Sequence, residues 1–281
     1  MLAILRLMRM DKPIGTLLLL WPTTWGLLVA SQGYWDSNTW IIFLGGIVLM
    51  RAAGCVVNDL ADFQFDRDVK RTCHRPLATG ELKVSHGWML FAVLIFMAFM
   101  LACQLKPLAF ILAWVALGFT LLYPFTKRFF VCPQAVLGLA FSMGILMAFA
   151  QIQGELSGEA WVLFSLSAIW AIIYDTEYAM VDRDDDLKLG LKSSAIFFGQ
   201  ADRVILVVLS LCKIVLWSVF GVWQHYAWPF WLGLCGALAM FMLQWHLVWP
   251  RERDPCFRAF INNQWVGLSL ACGLAGAMLM V

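Results

Sequence analysis

Nine apolar segments divide this 281-residue chain and constrain its fold more than any other feature. A helix needs about 20 predominantly apolar residues to cross the hydrocarbon core of a bilayer. The segments cover residues 16–30, 40–57, 88–105, 108–123, 135–150, 161–174, 204–223, 228–249 and 265–281. Hydrophobic residues make up 62% of the chain and charged residues 14%, and the mean hydropathy is +0.78. This pattern excludes a soluble domain and predicts an all-α, polytopic membrane protein.

Residues that stop or start helices mark the ends of several segments. Only Lys106 and Pro107 separate the third segment from the fourth, and the proline blocks one long helix and indicates a tight hairpin. The basic N-terminus could begin a signal peptide, but Trp21, Pro22 and Trp25 interrupt the apolar run that follows. We therefore expect an uncleaved first helix and a single membrane domain over residues 1–281. The eight cysteines show no CxxC spacing, so neither disulfides nor zinc are implied.

Lysine and arginine lie almost entirely on one side of the predicted topology. Of the 20 basic residues, 17 precede the first segment or fall in the loops after the even-numbered segments. They are Arg6, Arg9, Lys12, Arg67, Lys70, Arg71, Arg75, Lys83, Lys127, Arg128, Arg183, Lys188, Lys192, Arg203, Arg251, Arg253 and Arg258. Because cytoplasmic loops carry the positive residues, we expect a cytoplasmic N-terminus, an external C-terminus and an odd number of crossings. The net charge of +2, without a basic run, gives no indication of a nucleic-acid partner.

The first acidic stretch, NDLADFQFDRD at residues 58–68, directly follows the second apolar segment. If the helix continues through it, Asn58, Asp62 and Asp66 fall at i, i+4 and i+8 and present a column of oxygens on one face. Such a column would repel itself unless a cation neutralised it. Oxygen ligands with no neighbouring histidine or cysteine favour Mg²⁺, so we expect Asn58, Asp62 and Asp66 to bind this metal.

A second acidic stretch, DTEYAMVDRDDD at residues 175–186, follows the sixth segment. On a helix, Asp175, Tyr178, Asp182 and Asp186 align along one face. The two stretches are four segments apart and lie on the same predicted side, which indicates two four-helix halves with the same topology, followed by one further helix. Two facing carboxylate columns are what a diphosphate held by several Mg²⁺ ions would need. We therefore add Asp182 and Asp186 to the metal ligands and Tyr178 to the candidate substrate contacts.

Basic residues accompany both stretches and are candidates to bind an anionic substrate. Lys70 and Arg71 follow the first stretch, and Lys188 and Lys192 follow the second, within expected cytoplasmic cap loops at residues 59–87 and 178–203. Arg51 lies one to two turns inside the membrane, where a charge is costly unless it is paired. We expect it to pair with Asp59 or Asp62 or to contact the diphosphate. Lys213 lies within the seventh segment. It either pairs with an acid or contacts the diphosphate, as expected of Arg51, or its side chain extends to the interface.

These residues carry a resemblance to a known family. Asn58-Asp59-x-x-Asp62-x-x-x-Asp66 resembles the NDxxDxxxD signature of the UbiA superfamily of intramembrane prenyltransferases, and Asp182-x-x-x-Asp186 resembles its second motif. The stretches RLMRMDKPIG, MRAAGCVVND, YPFTKR, YDTEYAMVDRDDD and KSSAIFFGQ are similar to the 4-hydroxybenzoate polyprenyltransferase branch of that family. The similarity extends over nearly the whole chain. Thr126 and Ser193-Ser194 are minor departures.

The resemblance implies nine helices around a central cavity that opens sideways to the lipid bilayer. It also implies Mg²⁺-dependent transfer of a polyprenyl group from polyprenyl diphosphate to 4-hydroxybenzoate, ortho to its hydroxyl, in ubiquinone biosynthesis at the bacterial inner membrane. Asp62, Asp66, Asp182 and Asp186 would then act in catalysis. The acceptor carboxylate would need a cation, and Arg128 in YPFTKR is the predicted partner, with Lys127 beside it as a further substrate contact.

Two alternatives stay open at this point. One is a related enzyme with another acceptor, such as homogentisate, a naphthoate, haem or a lipid alcohol, because motifs for metal and diphosphate do not separate these. The other is a Mg²⁺ or H⁺ transporter. Transporters place their ionisable groups near the membrane midplane, whereas nearly every acid of this chain lies at a segment end or in a loop, which disfavours transport.

Overall fold

The computed structural model describes residues 2–69 and 71–280. Eleven α-helices and two single 3₁₀ turns, Phe65–Arg67 and Gly199–Ala201, make up its regular structure, and this part of the chain contains no strand. The helices are α1 Leu2–Leu7, α2 Ile14–Ser31, α3 Ser37–Asp62, α4 Val84–Ala102, α5 Pro107–Thr126, α6 Pro133–Ile152, α7 Gly158–Leu189, α8 Ser194–Phe198, α9 Asp202–Trp223, α10 Trp228–Val248 and α11 Arg253–Met278.

Nine of the helices within the described residues have 18 or more residues, and each overlaps one predicted apolar segment. Seven regions are both long and apolar enough to cross a membrane; they contain α2 to α6, α9 together with α8, and α10. The all-α, polytopic class is thereby confirmed. Helices α7 and α11 fall outside this set because each begins or ends in charged and polar residues, so crossing by these two helices stays a prediction.

Local sequence explains where several helices begin and end. The Asp36 carboxylate accepts hydrogen bonds from the backbone N–H groups of Asn38 and Thr39 at 3.3 and 3.2 Å and caps α3. Pro107 occupies the first turn of α5, where its missing N–H is not needed, and this confirms the predicted hairpin after α4. Gly190 ends α7 with a φ of 66°, a left-handed conformation that favours glycine.

The helices form one aromatic-filled half and one half that encloses a cavity. Helices α2, α6, α7, α9, α10 and α11 share a core around the fully buried Trp25, Trp170 and Trp217. The ring of Trp25 lies 5.2 Å from that of Trp170 and 5.4 Å from that of Trp217. The cavity is lined by α2 to α7 and α11, whereas α9 and α10 contribute no lining residue. Seven of the nine long helices within the described residues thus line the cavity, and the rings of the aromatic half leave α9 and α10 outside its wall.

Lys213 lies inside the aromatic half and does not reach the interface. Its Nζ is 4.5 Å from the Trp170 ring centroid, 5.0 Å from that of Trp25 and 5.8 Å from that of Phe241. The side chain is fully buried, and its Nζ has no hydrogen-bond partner among the described residues. Neither expected role of Lys213, substrate contact or interfacial anchor, is therefore found. Attraction to ring faces is the interaction that this buried amine makes.

Replacing Lys213 with methionine is expected to leave stability unchanged or to raise it. A desolvated cation–π contact contributes about 2 kcal/mol, while burying an ion has a penalty of several kcal/mol, and apolar replacements of buried charges are often stabilising by about 1–4 kcal/mol. Thermal unfolding in detergent measures the change, with the exposed Lys106→Met as the control. A clear fall in the Lys213→Met midpoint, without one in the control, would show that the cation holds these helices together.

Candidate active site

The two acidic stretches face one another across a small cavity of about 140 Å³. Its wall includes Asp62 and Asp66 from the first stretch and Asp182 and Asp186 from the second. Asp62, Asp66 and Asp182 are buried, with 0%, 5% and 8% of their surface exposed. The structure thus brings together all four aspartates that were predicted to hold metal. The two pairs are more than a hundred residues apart in sequence, and only the folded chain places them side by side.

The local structures of the two stretches differ from one another. Helix α7 runs unbroken for 32 residues to Leu189, so Asp175, Tyr178, Asp182 and Asp186 share a helix as predicted. Helix α3 instead ends at Asp62, and Asp66 lies in the separate 3₁₀ turn. The expected helical column through Asp66 is therefore wrong. Side chains explain the break: Thr72 donates to the Asp66 carbonyl at 3.1 Å, an interaction that favours a turn over a continuing helix.

The two predicted cap loops also differ in length. The first cap, expected at residues 59–87, contains helical ends on both sides, and its irregular part begins after Asp62 and ends before Val84. We refer to residues 63–83 as the cap loop. The second cap, expected at residues 178–203, is largely helical, because α7 continues to Leu189 and α8 begins at Ser194. The active-site end of the molecule is thus covered by one true loop and by the projecting end of α7.

Three buried carboxylates of the small cavity have a basic partner. The Lys127 ammonium donates to Asp62. Arg75 contacts Asp66 at 2.8 Å, and Arg71 holds both carboxylate oxygens of Asp182 through contacts of 2.5–2.9 Å. No group of three or more His, Cys, Asp or Glu residues within 2–69 and 71–280 is arranged as a ready metal site. In this arrangement Asp62, Asp66 and Asp182 are thus neutralised by basic side chains of the chain itself.

The donor set nevertheless fits a hard divalent cation. Asp62 Oδ1 is buried and has no hydrogen-bond partner among the described residues; its nearest cation is Arg128 Nη2 at 3.7 Å, so this oxygen can still accept a ligand. All four carboxylates and the amide of Asn58 line the same small cavity, and oxygen ligands of this kind suit Mg²⁺. Near the projecting end of α7, burial raises the pKa of Asp186 to about 7, with repulsion from Asp182 adding to the effect. A bound cation would reverse that penalty by favouring the ionised carboxylate.

Two arginines that were not predicted as site residues organise the first stretch. Arg75 bridges Asp59 and Asp66, with contacts of 3.0 and 2.8 Å, and lines both cavities. Arg9, from the turn after α1, holds the Asp59 carboxylate through contacts of 2.9 and 3.0 Å. Asp59 therefore anchors the N-terminal segment and the cap loop to α3. The spacing of Arg71 and Arg75, four residues apart in KRTCHR, was the available signal for Arg75.

A larger cavity of about 730 Å³ adjoins the small one. The two share part of their lining, namely Asn58, Arg71, Arg75, Tyr123, Asp175 and Tyr178. Beyond these residues the wall is mostly aliphatic and aromatic and extends between α3, α4 and α5. A charged compartment thus opens onto an apolar one, which suits a ligand with an anionic head and a long hydrocarbon tail.

Arg51 lines the larger cavity and forms no ion pair among the described residues. Its Nε is buried without a hydrogen-bond partner among the described residues, and the guanidinium carbon lies 6.0 Å from the Phe141 ring centroid. The expected pairing with Asp59 or Asp62 is not found, because Arg9 and Arg75 hold Asp59 and Lys127 holds Asp62. A half-buried arginine without an ion-pair partner, with its Nε buried, indicates a place for an anionic group of a ligand.

The remaining predicted residues lie at different distances from the cavities. Arg128 lines neither cavity; it donates to the Ala61 carbonyl at 2.8 Å, and its guanidinium carbon lies 5.3 Å from each of the ring centroids of Phe65 and Phe125. Lys188 is exposed and lines neither cavity. Lys192 lines the small cavity and donates to the Phe129 carbonyl at 2.9 Å. Lys70 lies outside the described residues.

Comparison with known proteins gives concordant matches in sequence and structure. Residues 19–270 match the UbiA prenyltransferase family. A 4-hydroxybenzoate octaprenyltransferase of Chromohalobacter salexigens is 49% identical over 271 residues, which cover 96% of this chain and 91% of the relative. The protein of the same name from Klebsiella pneumoniae is 47% identical over 277 residues, covering 98% of this chain and 96% of the relative.

Two solved structures have the same fold. A UbiA homologue from Aeropyrum pernix superimposes with a TM-score of 0.81 at 22% identity, covering 94% of this chain and 96% of the other. A UbiA homologue from Archaeoglobus fulgidus, bound to GPP and Mg²⁺, gives a TM-score of 0.78 at 18% identity and covers 99% of this chain and all of the other. At these identities the two structures establish the shared architecture.

Proposed function

This chain belongs to the UbiA prenyltransferase family, and we infer from that membership that it transfers a polyprenyl group from polyprenyl diphosphate to 4-hydroxybenzoate. The new bond joins the prenyl carbon to the ring carbon ortho to the hydroxyl; the allylic C–O bond breaks to release diphosphate and the ring carbon loses its hydrogen as a proton, in a step of ubiquinone biosynthesis. Curated relatives that are 47–49% identical over nearly the full chain carry this activity in their names. The observation that carries the inference is the small acidic cavity that opens onto a large apolar one.

The two cavities divide the donor substrate between them. The diphosphate fits the small cavity, where Arg71, Lys127 and Lys192 supply positive charge, and the prenyl chain fits the apolar cavity. Asp62, Asp66, Asp182 and Asp186, with Asn58, are the residues that would hold Mg²⁺. When bound, Mg²⁺ neutralises the negative charge that develops on the departing diphosphate. Metal-bound relatives of this fold include one with Mg²⁺ and one with Cd²⁺, so a divalent cation is supported more firmly than its identity.

Breaking the allylic C–O bond leaves a positively charged prenyl carbon that has to meet the acceptor before it meets water. Tyr123 and Tyr178 lie where the cavities join, and Phe141, Tyr174 and Phe260 line the apolar side. Ring faces attract a cation, and their bulk excludes water, so these side chains suit the passage of the carbocation.

The acceptor carries a carboxylate, and we propose that Arg51 binds it. Arg51 lines the apolar cavity and forms no ion pair with a carboxylate among the described residues, whereas Arg128 lines neither cavity and has its Nη2 3.7 Å from Asp62 Oδ1. A guanidinium binds a carboxylate through two parallel hydrogen bonds, which would orient the acceptor ring as well as hold it. Binding of the acceptor carboxylate by Arg128 stays a prediction, and variants of Arg128 and Arg51 can be compared directly.

Product analysis tests the proposed activity. Purified protein in detergent, with Mg²⁺, a prenyl diphosphate and a panel of aromatic acceptors, is expected to yield prenylated 4-hydroxybenzoate, identified by mass. Homogentisate and a dihydroxynaphthoate serve as competing acceptors. A product formed only from one of these would keep the family and overturn the acceptor. Prenyl diphosphate that is left intact with every acceptor would contradict prenyl transfer altogether.

We further propose that the enzyme lies in the bacterial inner membrane with its N-terminus and active site on the cytoplasmic side. The basic residues support this orientation, since Arg9, Arg71 and Arg75 all gather at the acidic end of the bundle. Lys83 directly precedes α4 at that end, and Ser157 directly precedes α7 at the opposite end. Positive residues on one side of a membrane protein indicate the cytoplasmic side.

Accessibility of single cysteines is expected to confirm this orientation. In a cysteine-free background, Ser157→Cys should react with an impermeant thiol reagent added to intact cells, and Lys83→Cys should react only in inverted vesicles. The eight native cysteines have to be replaced first, and because Cys55 and Cys256 are buried, the activity of the cysteine-free parent is the control. Labelling of both positions from one side would contradict the topology.

A further inference from the structure

The carboxylates that would hold the divalent cation already have counter-ions within the chain. Asp62 contacts Lys127, Asp66 contacts Arg75 and Asp182 contacts Arg71. A metal ion therefore enters the small cavity in competition with these side chains. Because a hydrogen bond between charged groups is stronger than one between neutral groups, this competition weakens metal binding measurably.

Arg71 differs from the other two counter-ions because it joins the two acidic stretches. It comes from the cap loop, and it holds both oxygens of Asp182 on α7 through its Nε and Nη2. The guanidinium carbon also lies 4.6 Å from the Tyr178 ring centroid. Tyr178 is one turn before Asp182 on α7 and lines both cavities. The Arg71 side chain thus has one contact, with Tyr178, that does not depend on the Asp182 carboxylate.

We propose that Arg71 exchanges partners during the reaction cycle: it neutralises Asp182 in the metal-free enzyme and binds the diphosphate once a divalent cation has taken that carboxylate. The proposal rests on the proposed function for the identity of the anion. Metal alone leaves Arg71 without an anionic partner, and diphosphate alone finds Arg71 occupied. Together the two ligands satisfy both groups, so they bind with positive cooperativity, and each raises the affinity for the other by the same factor.

Metal binding without substrate gives the first test. Mn²⁺, which electron paramagnetic resonance detects when free, is titrated into the full-length enzyme in detergent with no diphosphate present. Because Arg71→Gln removes the competing cation, it is expected to bind Mn²⁺ about 10-fold more tightly than the unmodified enzyme. Weaker or unchanged binding would overturn the exchange, since a purely structural Arg71 would misplace Asp182 when removed.

Arg183→Gln is the matched control. Arg183 is the next residue after Asp182 and has the same charge, but its partner is Asp202, at 3.2 Å, and it lines neither cavity. Loss of this charge is expected to change Mn²⁺ affinity by less than about 2-fold, as screening of exposed charges would give. An equal tightening in Arg183→Gln would assign the Arg71 result to net charge and overturn the specific exchange.

Diphosphate binding gives the second test, in which Arg71→Gln is expected to weaken binding instead of tightening it. With saturating Mn²⁺, a geranyl S-thiolodiphosphate that does not react is expected to bind Arg71→Gln about 10-fold more weakly than the unmodified enzyme. Unchanged binding would overturn the diphosphate half of the proposal. If Arg71→Gln does not fold, Arg71→Lys keeps the charge without the planar fork, and smaller changes of the same two signs are expected. Neither titration involves turnover, so their failure is distinguishable from a failure of the acceptor assay.

Discussion

Asp62→Asn and Asp182→Asn are each expected to lower kcat by about 100- to 1,000-fold while the protein stays folded. Each change removes one negative ligand without removing bulk, and loss of one preorganised electrostatic partner in an active site has an effect of this size. Both side chains are buried and line the small cavity. Prenyl transfer to 4-hydroxybenzoate in detergent, with Mg²⁺ varied, measures the effect. Asp66→Asn and Asp186→Asn are expected to show the same direction.

Asp184→Asn is the control for these variants. Asp184 lies on α7 between Asp182 and Asp186, carries the same charge and is 74% exposed in its side chain. It lines neither cavity, so its replacement is expected to leave activity within about 2-fold, as for most exposed charges. EDTA should abolish activity of the unmodified enzyme, and added Mg²⁺ should restore it. Full turnover by Asp62→Asn or Asp182→Asn, or in the presence of chelator, would contradict the metal assignment.

Arg51→Ala is expected to raise the KM for 4-hydroxybenzoate by about 10- to 100-fold. A charge-assisted hydrogen bond in a partly desolvated pocket contributes about 1.5–3 kcal/mol, and alanine leaves the acceptor carboxylate without a partner. The apparent affinity for prenyl diphosphate should change much less, because the four aspartates, Lys127 and Lys192 line the small cavity, which Arg51 does not line. Both KM values are measured in the same membranes.

Arg128→Ala is the comparison variant that decides which of the two arginines binds the acceptor carboxylate. Arg128 and Arg51 are both arginines near the acidic end, but only Arg51 lines the cavity. The expected KM for the acceptor in Arg128→Ala is close to that of the unmodified enzyme. If Arg128→Ala raises the KM for the acceptor more than Arg51→Ala does, Arg128 binds the acceptor carboxylate, as predicted from the sequence. If Arg51→Ala weakens both substrates equally, Arg51 belongs with the diphosphate instead.

Periodicity and charge predicted the helices and the facing acids, and the structure explains why they could. Apolar segments have to form helices in a membrane because every backbone N–H and C=O needs a partner there. The placement of Asp182 and Asp186 on one helix face was predictable as well, because α7 continues as a regular helix through both. Elements whose geometry is dictated by the local chain were therefore accessible to sequence analysis.

Features that depend on contacts between residues far apart in the chain could not be predicted from the sequence. The end of α3 at Asp62 depends on how the cap loop folds back, with Arg75 reaching Asp59 and Asp66. The burial of Lys213 depends on three rings from other helices. The position of Arg128 outside the cavities reflects the Ala61 carbonyl and the Phe65 ring, which lie more than 60 residues earlier in the chain.

The unequal construction of the two acidic stretches restricts which insertions and deletions this chain can accept. One residue added within α7 before Asp182 would turn every later side chain by about 100° around the helix axis and carry Asp182 and Asp186 out of the cavity. A residue added in the exposed part of the cap loop near Gly80 leaves the Arg75 contacts with Asp59 and Asp66 in place. Length variation among functional descendants of this chain should therefore accumulate in the loop and be absent from the helix.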